Sequence, residues 1–354
     1  MTAADRDLAT VAPFGRRRLA KPVAWGVVIV VVLLIPLVVQ DNYLRLVLVQ
    51  MITYALLAST WNVTLGIAGI FNYAHVALFG IGAYTSAILA VKLGVEPWLT
   101  IPVAVLAAVL GSLVAFIPVA RLRGIYVALA TFIFSQLCVY LVLGQSWITG
   151  GSSGLVSVPN LEIAGESLGA NRRLGYVYLG LVALILVVVG LTFFVKSTFG
   201  RSLLAIKDNE QLARSRGVPI YRQHLLTFLL ASALAGFTGS YFVFTNNVAS
   251  TNIFDFGYAT LLLSMMFLGG SRSILGPVIG AVLITILQQS LRNYGPMSFI
   301  IAGVIILVVL RFFPQGIAGG VERLVALVRK RLARRRGAKA GPADLTEKKE
   351  STDA

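Results

Sequence analysis

The chain is poor in the residues with which proteins do covalent chemistry. A single cysteine, Cys138, excludes an intramolecular disulfide, and its place in an apolar run reads as a buried structural thiol. The two histidines, His75 and His224, lie several apolar runs apart. No Cys, His, Asp or Glu cluster has metal-ligand spacing, so neither a metal nor a cofactor is expected. Nowhere does Gly-x-x-x-x-Gly-Lys-Ser/Thr occur, so the chain builds no phosphate-cradling loop of its own. Only 14 acidic residues stand against 30 basic ones, and none falls in the middle of an apolar run. An ion-coupled carrier or proton relay usually keeps an ionisable group within the membrane. Its absence here argues against a chain that harvests an ion gradient. No catalytic residue is expected, and energy input falls to a partner.

What the chain has in abundance is apolar length. It is 57% hydrophobic and 12% charged, against about 25% charged in soluble domains. Ten runs approach or exceed the length of a spanning helix: Val23–Val39, Leu44–Leu65, Phe71–Val91, Trp98–Val119, Gly124–Leu143, Tyr176–Val195, Leu225–Thr245, Ile253–Gly269, Leu275–Ser290 and Ser298–Phe313. The expected fold is all-α, a polytopic transmembrane helical bundle of about ten spans. The eighth and ninth runs are short and the Gly66–Asn72 break carries no charge, so eight spans with re-entrant segments is the alternative. With the N-terminus inside, 25 of the 30 basic residues fall on the cytosolic side, which predicts N-in, C-in topology. The acidic residues split nine in and five out, so the cations carry the signal.

Three regions follow. Residues 1–22 form a basic cytosolic N-terminus, in which Arg16-Arg17-Arg18 precedes an apolar run with no small-residue cleavage site after Val39, as in a retained anchor. Residues 23–319 form the transmembrane domain, with an outer loop at 144–175 and a polar loop at 196–224. Residues 320–354 form a basic juxtamembrane helix and a tail disordered by composition. The net charge of +16 does not point to nucleic acid. Seven cations between Arg329 and Lys339, with no acid among them, follow the last span directly. Such a run reads as attraction to anionic membrane lipid, worth about 1 kcal/mol per charge.

The polar island Lys196–Arg222, KSTFGRSLLAIKDNEQLARSRGVPIYR, stands out against this background. It holds six basic and two acidic residues, a helical pattern from Ser202 to Arg214, and a stop at Gly217 and Pro219. A helix that transmits motion to a cytosolic partner must be short, rigid and exposed, with a glycine to turn the chain back. Leu203, Leu204, Ile206 and Ala213 offer apolar contact, while Arg201, Lys207 and Glu210 offer charge for register. Within or beside the spans, Asn62, Asn72, His75, Tyr84, Ser135, Gln136 and Asn246 are candidates to line a permeation path. Hydrogen bonding between helices is the competing role for each of them. Small residues recur at packing spacing at Gly80, Gly82 and Ala83, through Ala231–Gly239, and at Gly276 and Gly280.

Four segments carry a family resemblance: LGIAGIFNYAHVALFGIGAYTSAIL (Leu65–Leu89), ARLRGIYVALATFIFSQ (Ala120–Gln136), TGGSSGL (Thr149–Leu155), and a run from GRSLLAIKDNEQLARSRGV through LASALAGFTG and FLGGSRSILGPVIGA to RFFPQGIAG. Over about Leu44 to Gly319 the chain resembles the membrane-spanning permease subunits of branched-chain amino acid ABC importers, specifically the LivM type. One departure is Asn72-Tyr73-Ala74-His75, which looks more like the sister LivH-type subunit. The resemblance implies a bacterial inner-membrane location. It also implies two cytosolic ATPase subunits, a second permease of LivH type and an extracytoplasmic solute-binding protein as partners. It assigns the polar island to an ATPase-coupling helix, with Asn209, Glu210, Ala213 and Gly217 at the matching positions and Leu212 where alanine is usual. The outer mouth is expected near Thr149–Leu155 and Asn246–Asp255. The same architecture serving urea, short amides or another small solute is the alternative, and an ion-coupled carrier a more distant one.

Overall fold

The computed structural model describes residues 33–39, 41–163, 166–169 and 173–295, with isolated positions between 297 and 319. The expected basic N-terminus, most of the first and tenth runs and the C-terminal region lie outside the described residues. Residues 33–38 are helical.

Six helices among the described residues are long and apolar enough to cross a membrane. In chain order they begin with α1 (Asn42–Asn62, continued by a π turn at Val63–Ile67), α2 (Ala74–Lys92), α3 (Pro97–Val119) and α4 (Ile125–Gly144). After a loop comes α5 (Leu174–Lys196), followed by two short helices, α6 (Thr198–Asp208) and α7 (Glu210–Ser215), and then the 27-residue α8 (Ile220–Asn246). Two shorter helices, α9 (Phe256–Gly269) and α10 (Gly276–Leu291), follow. Local chemistry sets several starts. Asp41 accepts a hydrogen bond from Tyr43 N at 2.9 Å to cap α1, and Pro97 opens α3 where its missing N–H is not needed.

Burial sorts the helices into two layers. The spanning windows of α1, α2 and α8 are 78%, 72% and 61% buried, whereas α3, α4 and α5 are at 33%, 28% and 28%. The first three therefore form the centre, and the others present Leu, Ile and Val to lipid. Lipid gives apolar helices no reason to associate, so close backbone approach must do it. A Cβ on Gly82 would lie 2.4 Å from Gly236 O, and one on Gly239 would lie 2.1 Å from Phe79 O. The small residues of α2 and α8 thus bring the two backbones into direct contact, the packing role their spacing suggested. Ser86 and Ser240 hydrogen-bond across the same interface at 2.6 Å.

The eighth apolar run does not form a continuous span. Beyond Asn246 the chain makes a two-residue strand, β4 (Val248–Ala249), then a 3-10 turn at Thr251–Phe254, and becomes α-helical only at Phe256. Phe254 sits against Gly80 and stacks on Tyr84 with centroids 6.0 Å apart. Phe256 stacks on Tyr73, also at 6.0 Å. The non-helical stretch is therefore tucked against α2, which is where irregular backbone is tolerated at membrane depth. At 1.5 Å per residue, α9 and α10 reach only about 21 and 24 Å, short of the ~30 Å hydrocarbon core. The two form a hairpin closed by Gly269, Gly276 and Gly280, with a Cβ on Gly280 falling 1.8 Å from Met265 O.

The bundle has two distinct ends. One gathers the π turn, Arg121–Gly124, α6–α7 and the 270–275 turn. At the other, β1 (Leu155–Val156) pairs antiparallel with β4, Leu155 opposite Ala249. There, too, Trp98 Nε1 donates to Glu162 O at 2.7 Å, and β2 (Glu162–Ile163) pairs with β3 (Glu166–Ser167). Gly154, at φ +70°, leads into β1, and a Cβ there would meet Ala249 O at 2.2 Å. Both segments named for the outer mouth therefore meet at one end.

Candidate functional site

Polar features lie outside the apolar core both at the basic end and along the α9–α10 hairpin. At the basic end, the polar island folds as two helices rather than the single one its periodicity from Ser202 to Arg214 suggested. Asn209 breaks the helix in an extended conformation (φ −156°, ψ 100°), and its side chain caps α7 by accepting from Leu212 N at 3.0 Å. The apolar pattern continues through the break, because Leu203, Ile206 and Ala213 are all buried against this chain's own helices. Leu204 and Leu212 are the large apolar side chains it leaves exposed. Gly217 takes φ +78° with open space around it, where the chain turns back toward α8.

Several contacts tie the element to the bundle. The Lys207 stem lies across Gly69 and its ammonium donates to Gly66 O, a carbonyl of the π turn. Burial, with Arg272 close by, holds the Lys207 ammonium below the usual lysine range, against a smaller opposing pull from Asp208. Glu210 pairs with Arg214 at 3.1 Å and with Arg123 of the α3–α4 turn at 3.7 Å. Arg201 is exposed. From Gly66 the contacts continue: a Cβ there would meet Asn62 Oδ1 and Ser271 O, and Asn62 Nδ2 donates to Ser273 O at 3.3 Å. The polar island thus touches the π turn, and the π turn touches the α9–α10 hairpin.

Along that hairpin, an open groove of about 750 Å³ runs between α9 and α10. Its polar lining comes from Asn252, Asp255, Thr260, Ser264 and Gln288. Asp255 accepts from Gly257 N at 3.0 Å and so caps α9. Thr260 and Ser264 lie one turn apart, each hydroxyl donating to the carbonyl four residues earlier at 2.9 Å. This is a polar stripe on a helix that is otherwise mainly Leu, Met and Phe, with Tyr258, Ala259 and two glycines. The helical spacing of Thr260 and Ser264 is the sequence signal that points to it, but single-residue inspection passes over it.

The seven path candidates do not converge on one lining. Asn62, Asn72, His75, Tyr84 and Ser135 are buried within the chain, and Gln136 is half-buried. His75 stacks on Trp61 and shares a 3.1 Å contact with Thr60 Oγ1, while Asn72 accepts from Ala74 N at 3.0 Å. Asn246 alone among them is exposed; it lines a pocket of about 120 Å³ with Gln50, Tyr54 and Arg173 at the strand-bearing end.

Comparison with known proteins gives this architecture a family. A family described as the permease component of branched-chain amino acid transport systems matches residues 43–310. The LivM high-affinity branched-chain amino acid permease of Escherichia coli (strain K12) is 29% identical over 81% of this chain and 71% of its own length. The probable LivH permease of Methanocaldococcus jannaschii is 24% identical over 81% of this chain and 96% of its own. The autoinducer 2 import permease LsrC of Salmonella paratyphi B is 29% identical over 64% and 68%. No solved structure matches the chain. The match spans the described bundle from the start of α1 past the end of α10, and the chain belongs to the family of branched-chain amino acid transport permeases.

Proposed function

We propose that this chain is one permease subunit of an ATP-driven importer of branched-chain amino acids in the bacterial inner membrane. In this reading α6–α7 is the cytosolic element that receives motion from ATPase subunits, with Arg201 open to the partner, Lys207 and Glu210 fastening the element to the bundle, Asn209 capping α7, and the Ala213 and Gly217 region shaping its return. The solute arrives from an extracytoplasmic binding protein at the end where Leu155 pairs with Ala249. The path runs along the α9–α10 groove, closed from the other side by a second permease of LivH type. The observation that carries the reading is the continuous contact from Lys207 through Gly66 and Asn62 to Ser273, which joins the exposed element to the hairpin bearing the groove. Motion applied at α6–α7 has a packed route to the turn of the hairpin.

The test is reconstitution. Liposomes holding this chain, a second permease and two ATPases should take up leucine only with ATP and binding protein. Gradient-driven uptake by this chain alone would overturn the reading. The likeness to LsrC favours a second version, the same machine carrying another small solute. ATP-dependent uptake that leucine, isoleucine and valine fail to compete would favour that version.

A further inference from the structure

A cavity of about 390 Å³ at the basic end, beneath α6–α7, is separate from the groove and shares part of its lining with the contacts just described. This falls within the range of small-molecule sites, about 300–1,000 Å³. Its floor is apolar and buried: Ala68, Ile70, Val119, Val127 and Ile206 are each 3–8% exposed. Most of these belong to one cluster with Phe116, Leu203 and Phe228. Its rim carries charge of both signs, from Arg123, Lys207, Asp208 and Glu210. A further wall residue, His224, has a buried Nε2 that makes no hydrogen bond.

An apolar floor under a rim of paired opposite charges is complementary to one ligand chemistry: a zwitterion with a branched aliphatic side chain. We infer that this cavity binds a free branched-chain amino acid, with carboxylate to Arg123, ammonium to Glu210 and side chain on the Ile70–Val127 floor. The present Arg123–Glu210 contact is loose at 3.7 Å, with the two side chains 75% and 39% exposed. Such pairs contribute little, so a zwitterion inserting between them gives up a weak contact for two charge-assisted ones. Arg214, bonded to Glu210 at 3.1 Å, keeps that carboxylate in place. The ligand would bridge the α3–α4 turn to the start of α7 and hold α6–α7 against the bundle. Amino acid accumulated on that side would then restrain the element that has to move, slowing its own import. The inference rests on the proposed substrate and orientation.

The experiment uses the full chain in lipid nanodiscs titrated with tritiated leucine. Saturable binding is expected, at least tenfold weaker for leucine methyl ester, which lacks the carboxylate, for 4-methylpentanoate, which lacks the ammonium, and for glycine, which lacks the side chain. Arg123→Gln and Leu122→Trp, the latter crowding the rim, should each weaken it at least tenfold, whereas Gln288→Leu in the groove should leave it unchanged. The ligand series on the unaltered chain does not depend on any variant folding. Absence of saturable binding overturns the inference, as does binding lost in Gln288→Leu and kept in Arg123→Gln. In the reconstituted importer, leucine on the ATPase side should lower uptake at least fivefold, and Leu122→Trp should relieve that inhibition. Uptake without binding at this cavity removes the cavity alone. Binding without ATP-dependent leucine uptake removes the import reading and leaves the cavity.

Discussion

Replacing Lys207 with methionine tests the mechanical core of the proposed function. Methionine keeps an unbranched stem to lie across Gly69 but removes the ammonium that donates to Gly66 O. A hydrogen bond to a charged group contributes about 1.5–3 kcal/mol. Here Lys207 is partly exposed and its ammonium is already disfavoured by burial and by Arg272. The lower end applies, about 1.5 kcal/mol, which is roughly a tenfold shift between the latched and released positions of α6. If that latch transmits motion, its loss should leave ATPase association and hydrolysis within about twofold of the original while leucine transported per ATP falls about tenfold. The assay is paired measurement of leucine uptake and phosphate release in proteoliposomes. Transport per ATP unchanged in Lys207→Met would refute the route through Gly66. A parallel loss of association, hydrolysis and uptake would mean that Lys207 serves docking instead. Gly66→Ala attacks the same junction from the other side, since its Cβ would fall 1.9 Å from Asn62 Oδ1 and 2.3 Å from Ser271 O.

Other expectations are as specific. Gly239→Leu forces α8 away from α2, where a Cβ would already lie 2.1 Å from Phe79 O; overpacking of this kind costs about 1–3 kcal/mol and should lower the thermal midpoint in detergent. Asn209→Ala removes the cap on Leu212 N, worth about 1 kcal/mol, so amide exchange should quicken across Glu210–Ser215 and not in α8. In a Cys138→Ala background, cysteines at Thr260 and Ser264 should react with a membrane-impermeant thiol reagent, whereas one at Leu186, 66% exposed on the outer layer, should not; equal protection at all three would exclude a wet groove. Because Lys207 loses its proton at lower pH in the fold than when free, the unfolded state holds more protons between that lowered pKa and 10.5. Stability should therefore rise with pH relative to Lys207→Met as the pH climbs toward 10.5, and a parallel pH profile for the two proteins would contradict the burial.

The parts of the fold that were legible in the sequence are those where one residue property decides the outcome. A run such as Tyr176–Val195 can only be a helix in lipid, because nothing else satisfies its backbone. The polar island showed itself by contrast, since charged residues stand out in a chain with so few. Hydropathy could not see the break before α9: Ile253 and Phe254 are as apolar as any helix, and what holds this stretch out of an α-helix is the surface of α2 at Gly80 and Tyr84, against which Phe254 packs, far away in sequence. The split at Asn209 was hidden for a related reason. Leu203, Ile206 and Ala213 are all buried on either side of it, so the apolar pattern runs on through the break. For the path, residue type alone does not separate the two roles. An asparagine or histidine within a span is as useful for joining helices as for meeting solute, and Asn62 and His75 are engaged inside the chain. The groove residues differ in position rather than chemistry: Thr260 is exposed and Ser264 half-buried, and each satisfies its hydroxyl on its own helix. In a bundle that otherwise turns Leu, Ile and Val toward lipid, a polar stripe left outward is costly unless water or a second subunit covers it. That requirement, more than any motif, is why the proposed second permease is placed against this face.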